Sequence, residues 1–147
     1  MCRYVTRQML AGCLIAFILF CPLRSFGAEV AVVVSSASPV QSLTASQVAD
    51  LFLGRSSTFP GGVAAVPVDQ SEGAEIREVF YLKLLRKTPA QVKSYWMRLV
   101  FTGKGEPPAT LPNIESIKRT LAANPNVVTY VDRSNVDSSL KVLLLLP

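Results

Sequence analysis

The chain has 147 residues, 50% of them apolar, with 15 Lys+Arg against 10 Asp+Glu and a formal net charge of +5. It has no histidine, and its three cysteines (Cys2, Cys13 and Cys21) all lie near the start. From Ala28 onward this removes Ser-His-Asp and Cys-His nucleophiles, zinc sites, and haem held by His or Cys. No catalytic residue, metal or cofactor is expected, and the chain does not read as an enzyme.

Residues 1–27 read as a secretory leader. Arg3 and Arg7 precede an almost unbroken apolar run from Met9 to Phe20, and Pro22 breaks that run. Ser25-Phe26-Gly27 then places small residues to suit a cut before Ala28. The run is shorter than the ~20 residues of a spanning helix, so a cleaved signal and a periplasmic or secreted location are expected, with no membrane insertion afterwards. An uncleaved anchor is the alternative. Leu10-Ala11-Gly12-Cys13 imitates a lipoprotein box, but the apolar run continues past the cysteine instead of closing at it, so lipidation is not expected. Processing would leave residues 28–147 as one α/β domain without disulfides, held by its core alone. Loss of Arg3, Arg7 and Arg24 lowers Lys+Arg from 15 to 12 against 10 acids, about +2 net. That balance, without a basic run interleaved with aromatics, gives no case for nucleic acid.

Glu29 to Ser35 is a β-branched, nearly continuous apolar run, the pattern of a strand buried on both faces. Leu43 to Arg55 reads as a helix capped by Thr44, with Val48, Leu51 and Phe52 on one face and Gly54 just past its end. After a loop with Pro60-Gly61-Gly62 as its turn, residues 63–68 read as a strand. Pro67 cannot donate to a ladder, which places that strand at an edge or Pro67 near the strand's end. The next helix follows Ser71, which is expected to cap it. Ile76, Val79, Phe80 and Leu84 form its apolar face, and Arg77, Glu78 and Lys83 fall mainly on the other.

Thr88-Pro89 opens another helix, with Thr88 as N-cap and Pro89 at the first helical position. Its apolar set is Val92, Tyr95, Trp96, Leu99 and Val100, and Trp96 is expected to pack in the core. Phe101 to Pro108 reads as a loop. Asn113 caps a helix carrying Ile114, Ile117 and Leu121, ended by Asn124-Pro125. Residues 127–131 and 140–146 are the last strands. Asp132 and Asp137 lack the ligand spacing of a calcium loop and read as turn residues. Strands alternating with helices give an α/β class: a small mixed, mainly parallel sheet flanked by helices.

The helix Leu43 to Arg55, written L-T-A-S-Q-V-A-D-L-F-L-G-R, resembles the "L-T-x-x-Q-(I/V)-x-x-I-F-x-G" helix of phosphate-type substrate-binding proteins, the type 2 periplasmic proteins that serve ABC importers. Asn124-Pro125-Asn126-Val127-Val128-Thr129-Tyr130-Val131 is similar to that family's "P-x-x-I-G-Y" strand. Pro67-Val68-Asp69, Glu72-Gly73, Phe80-Tyr81, Tyr95-Trp96 and Phe101 to Gly105 are similar to the signature of compact members of the same group. The resemblance runs from Ser42 to about Leu143 and implies one lobe of a fold that normally closes two lobes on its ligand.

The resemblance also locates a ligand loop. Where the phosphate binders carry "R-S-D-G-S-G-T", this chain has Gln70-Ser71-Glu72-Gly73-Ala74-Glu75-Ile76. The arginine fork and two hydroxyl donors are replaced, and acids stand at the helix entrance. The ligand-binding candidates are therefore Gln70, Ser71, the backbone N–H groups of Gly73 and Ala74, and Lys104 as a substitute cation in Gly103-Lys104-Gly105. Gly103-Lys104-Gly105 reads otherwise as a solvated turn, and Ser71 with its neighbouring acids as a plain helix cap.

Two functions follow. One is non-covalent capture of phosphate or another small anion or polar solute, delivered to an ABC permease, with a homodimer as one way to replace the missing lobe. The other is an adaptor or sensor module that binds an envelope protein and transports nothing.

Overall fold

A computed structural model describes residues 27–147; the leader and its expected cleavage point fall outside or at the border of these residues. The strands are β1 (Val30–Ser35), β2 (Val66–Gln70), β3 (Ala109–Leu111), β4 (Val127–Asp132) and β5 (Leu140–Leu146). The helices are α1 (Ala45–Phe52), α2 (Glu75–Leu85), α3 (Pro89–Phe101) and α4 (Ile114–Ala123). One sheet runs in the order β3-β2-β4-β1-β5. β2 is parallel to both β3 and β4, and β1 is antiparallel to both β4 and β5. Four strands therefore point the same way and β1 alone is reversed, the mixed and mainly parallel sheet that the sequence indicates.

Every residue of β1 is buried, because the sheet is covered on both faces. Val30, Val32, Val34, Val128 and Tyr130 meet α1, α2 and α3 on one side. Ala31, Val33, Val68, Val127 and Val131 meet Ile117 and Leu121 of α4 on the other. The first side is built on aromatic rings. Phe80 of α2 stacks on Tyr130 of β4 with centroids 3.7 Å apart and planes 7° from parallel, and Phe52 of α1 meets the Phe80 ring edge-on at 4.9 Å.

Helix boundaries follow local chemistry. Thr44 and Thr88 each close a capping box, with Gln47 and Gln91 reaching back to the cap N–H. Asn113 caps α4 by accepting from Ser116 N at 2.9 Å. At the end of α1, Gly54 takes φ +67°, and two bonds close a Schellman motif: Gly54 N–H to Leu51 O at 3.2 Å and Arg55 N–H to Asp50 O at 2.8 Å. α3 ends in the same way at Gly103, also φ +67°, with Lys104 N–H donating to Leu99 O at 2.8 Å.

Several expectations are corrected. The second strand lies at 66–70 rather than 63–68, and it is interior, between β3 and β4. Pro67 is tolerated there because Val66 N–H turns toward β4, bonding Asn126 O at 2.9 Å, so the alternate position faces β3. β3 begins pairing only at Val68, and no partner is lost. β3 itself was not expected, since three residues carry too little periodicity to announce a strand. Val100, placed in the apolar face of α3, is exposed. No helix among the described residues is long and apolar enough to cross a membrane.

Candidate functional site

β2 and β3 end together on one edge of the sheet, and the chain leaves β2 through Ser71-Glu72-Gly73-Ala74 into α2. In parallel α/β sheets that edge, outside the carboxyl ends of the strands, is where ligands are held. Gly73 makes the turn at φ +85° with nothing within 4 Å of an added Cβ, so the loop is open to solvent.

Ser71 does not cap α2. Its Oγ donates to Leu111 O at 3.4 Å, and the cap position belongs to Ala74, whose side chain offers no acceptor. α1, α3 and α4 are all side-chain capped, whereas the first N–H groups of α2 are left to solvent or a ligand. Glu75 and Glu78 stand in its first turn and partly satisfy the helix dipole.

The sequence candidates are placed as follows. Gln70 closes β2, with its Nε2 donating to Tyr130 O at 2.8 Å. Ser71, Gly73 and Ala74 share the loop, with Ala74 N–H turned back to Ser71 O at 3.1 Å. Lys104 stands beyond the far end of α3. The cation that reaches the loop is Lys93, whose Nζ lies 3.2 Å from Glu72 Oε2. From Lys93 to the end of α3 at Phe101 the helix advances about 12 Å. The structure thus brings Gln70, Ser71, Gly73 and Ala74 together and sets Lys104 at the negative end of the α3 dipole.

Beneath the loop lies a polar cluster that periodicity missed. Asp69 is only 3% exposed and collects four donors. Gln70 N–H reaches its Oδ1 at 2.8 Å, and the Tyr130 hydroxyl makes a very short bond to the same oxygen. Arg77 Nε at 3.0 Å and the Tyr81 hydroxyl at 2.8 Å take Oδ2. Arg77, expected on the outer face of α2, is 8% exposed and lies over the Tyr81 ring at 5.1 Å. Burial works against its charge, but Asp69 outweighs burial and leaves the guanidinium pKa raised. The available signal was spacing: Arg77 and Tyr81 are four residues apart, and Phe80-Tyr81 and Asp69 lie within a matching signature. An i, i+4 pair with one charged member resembles a solvated face unless its acceptor on the neighbouring strand is known.

Burial, followed by the negative Asp69, raises the pKa of both Tyr81 and Tyr130, so both phenols stay protonated as donors. A folded-state pKa above the unfolded value of about 10 contributes stability that is fully present below that pH and is lost as pH rises above it. We therefore predict a steep fall in the denaturant midpoint on the alkaline side of pH 10, with an absorbance step for buried phenolate that coincides with unfolding. Smooth ionisation of all tyrosines in the still-folded protein would contradict this assignment.

Asp132 and Asp137 cap turns. Asp132 accepts from Ser134 N–H at 2.8 Å, and Asp137 from Ser139 N–H at 2.9 Å and Lys118 Nζ at 2.5 Å. Hydrogen bonds from Lys118 and Ser139 lower the Asp137 pKa to about 2.

No family profile matches the sequence, and no curated protein does. Solved structures do match. An ABC-type phosphate transport receptor from Vibrio cholerae superposes with a TM-score of 0.61 at 18% identity, over 80% of this chain and 46% of the receptor. A putative phosphate ABC transporter substrate-binding protein with bound phosphate, from Clostridium perfringens, gives 0.63 at 20% identity over 80% and 45%. PstS from Borrelia burgdorferi gives 0.54 at 11% identity over 79% and 47%. The chain spans less than half the length of each. Together with the signature residues around the α2 entrance, these matches identify the fold as that of one lobe of a phosphate-type substrate-binding protein.

Proposed function

We propose that the protein is a secreted or periplasmic solute-binding module that holds a small polar solute or anion non-covalently at the entrance of α2, for uptake through an ABC-type permease. The observation that carries this reading is the uncapped α2 N-terminus at the carboxyl end of β2, in a fold shared with a structure that contains phosphate. Gln70, Ser71, Gly73 and Ala74 line that entrance, with the Gly73 N–H as its backbone donor since the Ala74 N–H is bonded to Ser71 O. Lys93 is the cation that reaches it, and Lys104, past the far end of α3, is the more distant cation assigned to the ligand.

The acids set the ligand class. A carboxylate about 4 Å from a ligand charge costs about 4 kcal/mol at an effective dielectric of about 20, enough to offset several hydrogen bonds. With Glu75 and Glu78 in the first turn, a neutral polar solute or a monoanion fits better than a phosphate dianion.

Calorimetry with phosphate, sulfate, small carboxylates and neutral polar solutes tests this. Saturable heat with at least one class is expected, stronger for the singly charged or neutral ones. Replacing Lys104 with alanine should weaken anion binding; an unchanged affinity would remove Lys104 from the site. Silence across the panel would end the solute reading.

A second reading, an adaptor that keeps the fold and binds an envelope protein, is favoured by one observation. The Gln70 amide and Ser71 hydroxyl are already spent on backbone carbonyls of the fold. Silence across the panel, together with saturable binding of a defined envelope protein, is the outcome that reading expects.

A further inference from the structure

Among the described residues seven large apolar side chains are exposed, and four of them (Leu82, Met97, Val100 and Phe101) belong to α2 and α3. Phe101 is 95% exposed and Met97 64%, although α3 has a separate buried face in Val92 and Trp96. Met97 and Phe101 are four residues apart, so they share the outward face of the helix. With Arg98 and Thr102 they line an open, almost wholly apolar depression of about 390 Å³. A second depression of about 370 Å³ lies over α2, where Val79 and Leu82 are flanked by Glu75 and Glu78 against one cation, Lys87. Glu75, Glu78 and Arg98 make no ion pair among the described residues.

We propose that these two surfaces are complementary halves of one self-association face. A second copy of the chain packs on α2 and α3 with two-fold symmetry, each Phe101 seated on Val79 and Leu82 of the other copy and each Arg98 facing Glu75 and Glu78. The two patches are complementary in charge: one is apolar with a free cation, the other apolar with two free carboxylates. They lie on consecutive helices, and in the proposed dimer a two-fold axis pairs each patch with its complement on the other copy. An exposed aromatic beside an arginine is the composition of an interface anchor. Each copy would also place an arginine beside the acids at the α2 entrance, where the resemblance shows an arginine missing. The proposal does not rest on solute binding, and a dimer that binds no solute remains fully consistent with it.

The test is solution mass by light scattering across a concentration series, on protein expressed from the full sequence. The expected mass is that of two chains. Phe101→Ser, at a position too exposed to affect folding, should weaken association at least about tenfold, as should Arg98→Glu and Glu78→Arg separately. Combining Arg98→Glu with Glu78→Arg should restore the dimer. A single-chain mass at the highest attainable concentration overturns the proposal. A dimer indifferent to Phe101→Ser, or a double variant no better than the single ones, overturns it equally. Saturable binding of a different envelope protein to the Phe101 face of a monomer would assign that face to the other partner instead.

Discussion

Replacing Asp69 with alanine is expected to destabilise the fold by about 3–5 kcal/mol, the range found when one partner of a buried ion pair is removed. The loss has two parts. Arg77 would keep its charge in a nearly dry site, and the hydroxyls of Tyr81 and Tyr130 would lose the acceptor they share. Asp69→Asn should be nearly as damaging, because its amide would present a donor to a site that already holds only donors. Denaturant unfolding of both variants reads the effect. Pairing Asp69→Leu with Arg77→Met should recover the part due to the stranded guanidinium, since removing both charges leaves none unpaired, while the two hydroxyls still lack their acceptor. Costs for the two substitutions that simply add would show that the ion pair does not hold α2 to the sheet.

Gly54→Ala should cost about 2–5 kcal/mol, although it adds one methyl group. Gly54 takes φ +67°, where a side chain costs roughly 1–2 kcal/mol. An added Cβ would also stand 2.8 Å from Cη2 of Trp96. That ring is 6% exposed and wedged between Gly54 and Gly105, so it cannot swing aside, and overpacking of this kind adds about 1–3 kcal/mol. Thermal unfolding should show the loss, and Gly54→Ala combined with Trp96→Phe should show a smaller one. A Gly54→Ala protein as stable as the parent would mean that the α1–α3 contact is looser than these distances indicate.

Much of this architecture could be read from the sequence because its determinants are local. Thr44, Thr88-Pro89, Asn113 and Gly54 mark helix ends by chemistry that acts within a few residues, and all four do so in the structure. The run Val30–Ser35 showed its two-sided burial through the absence of any polar interruption. What escaped was non-local. Arg77 and Lys83 looked solvated because their acceptors lie on other elements: Asp69 on β2 for Arg77, and the carbonyls of Ala28 and Leu146 for Lys83. Ser71 looked like a cap because it precedes a helix, but β3 supplies Leu111 O as a partner, and no pattern announced β3. At the site, the sequence located the loop and showed that the arginine fork was replaced. It could not show that Gln70 and Ser71 turn their side-chain donors into the fold.

The antiparallel pairing of β1 and β5 sets Val30 directly opposite Leu146, and Lys83 Nζ holds the adjoining backbone by donating to Ala28 O at 2.8 Å and Leu146 O at 3.4 Å. The chain thus enters and leaves this sheet at one point, beside the same edge on which the α2 entrance opens. A module whose entry and exit coincide can be carried within another polypeptide at a single position, with no strand rerouted and no core residue displaced. Two adjacent backbone connections are then all that would tie such a unit to the chain around it.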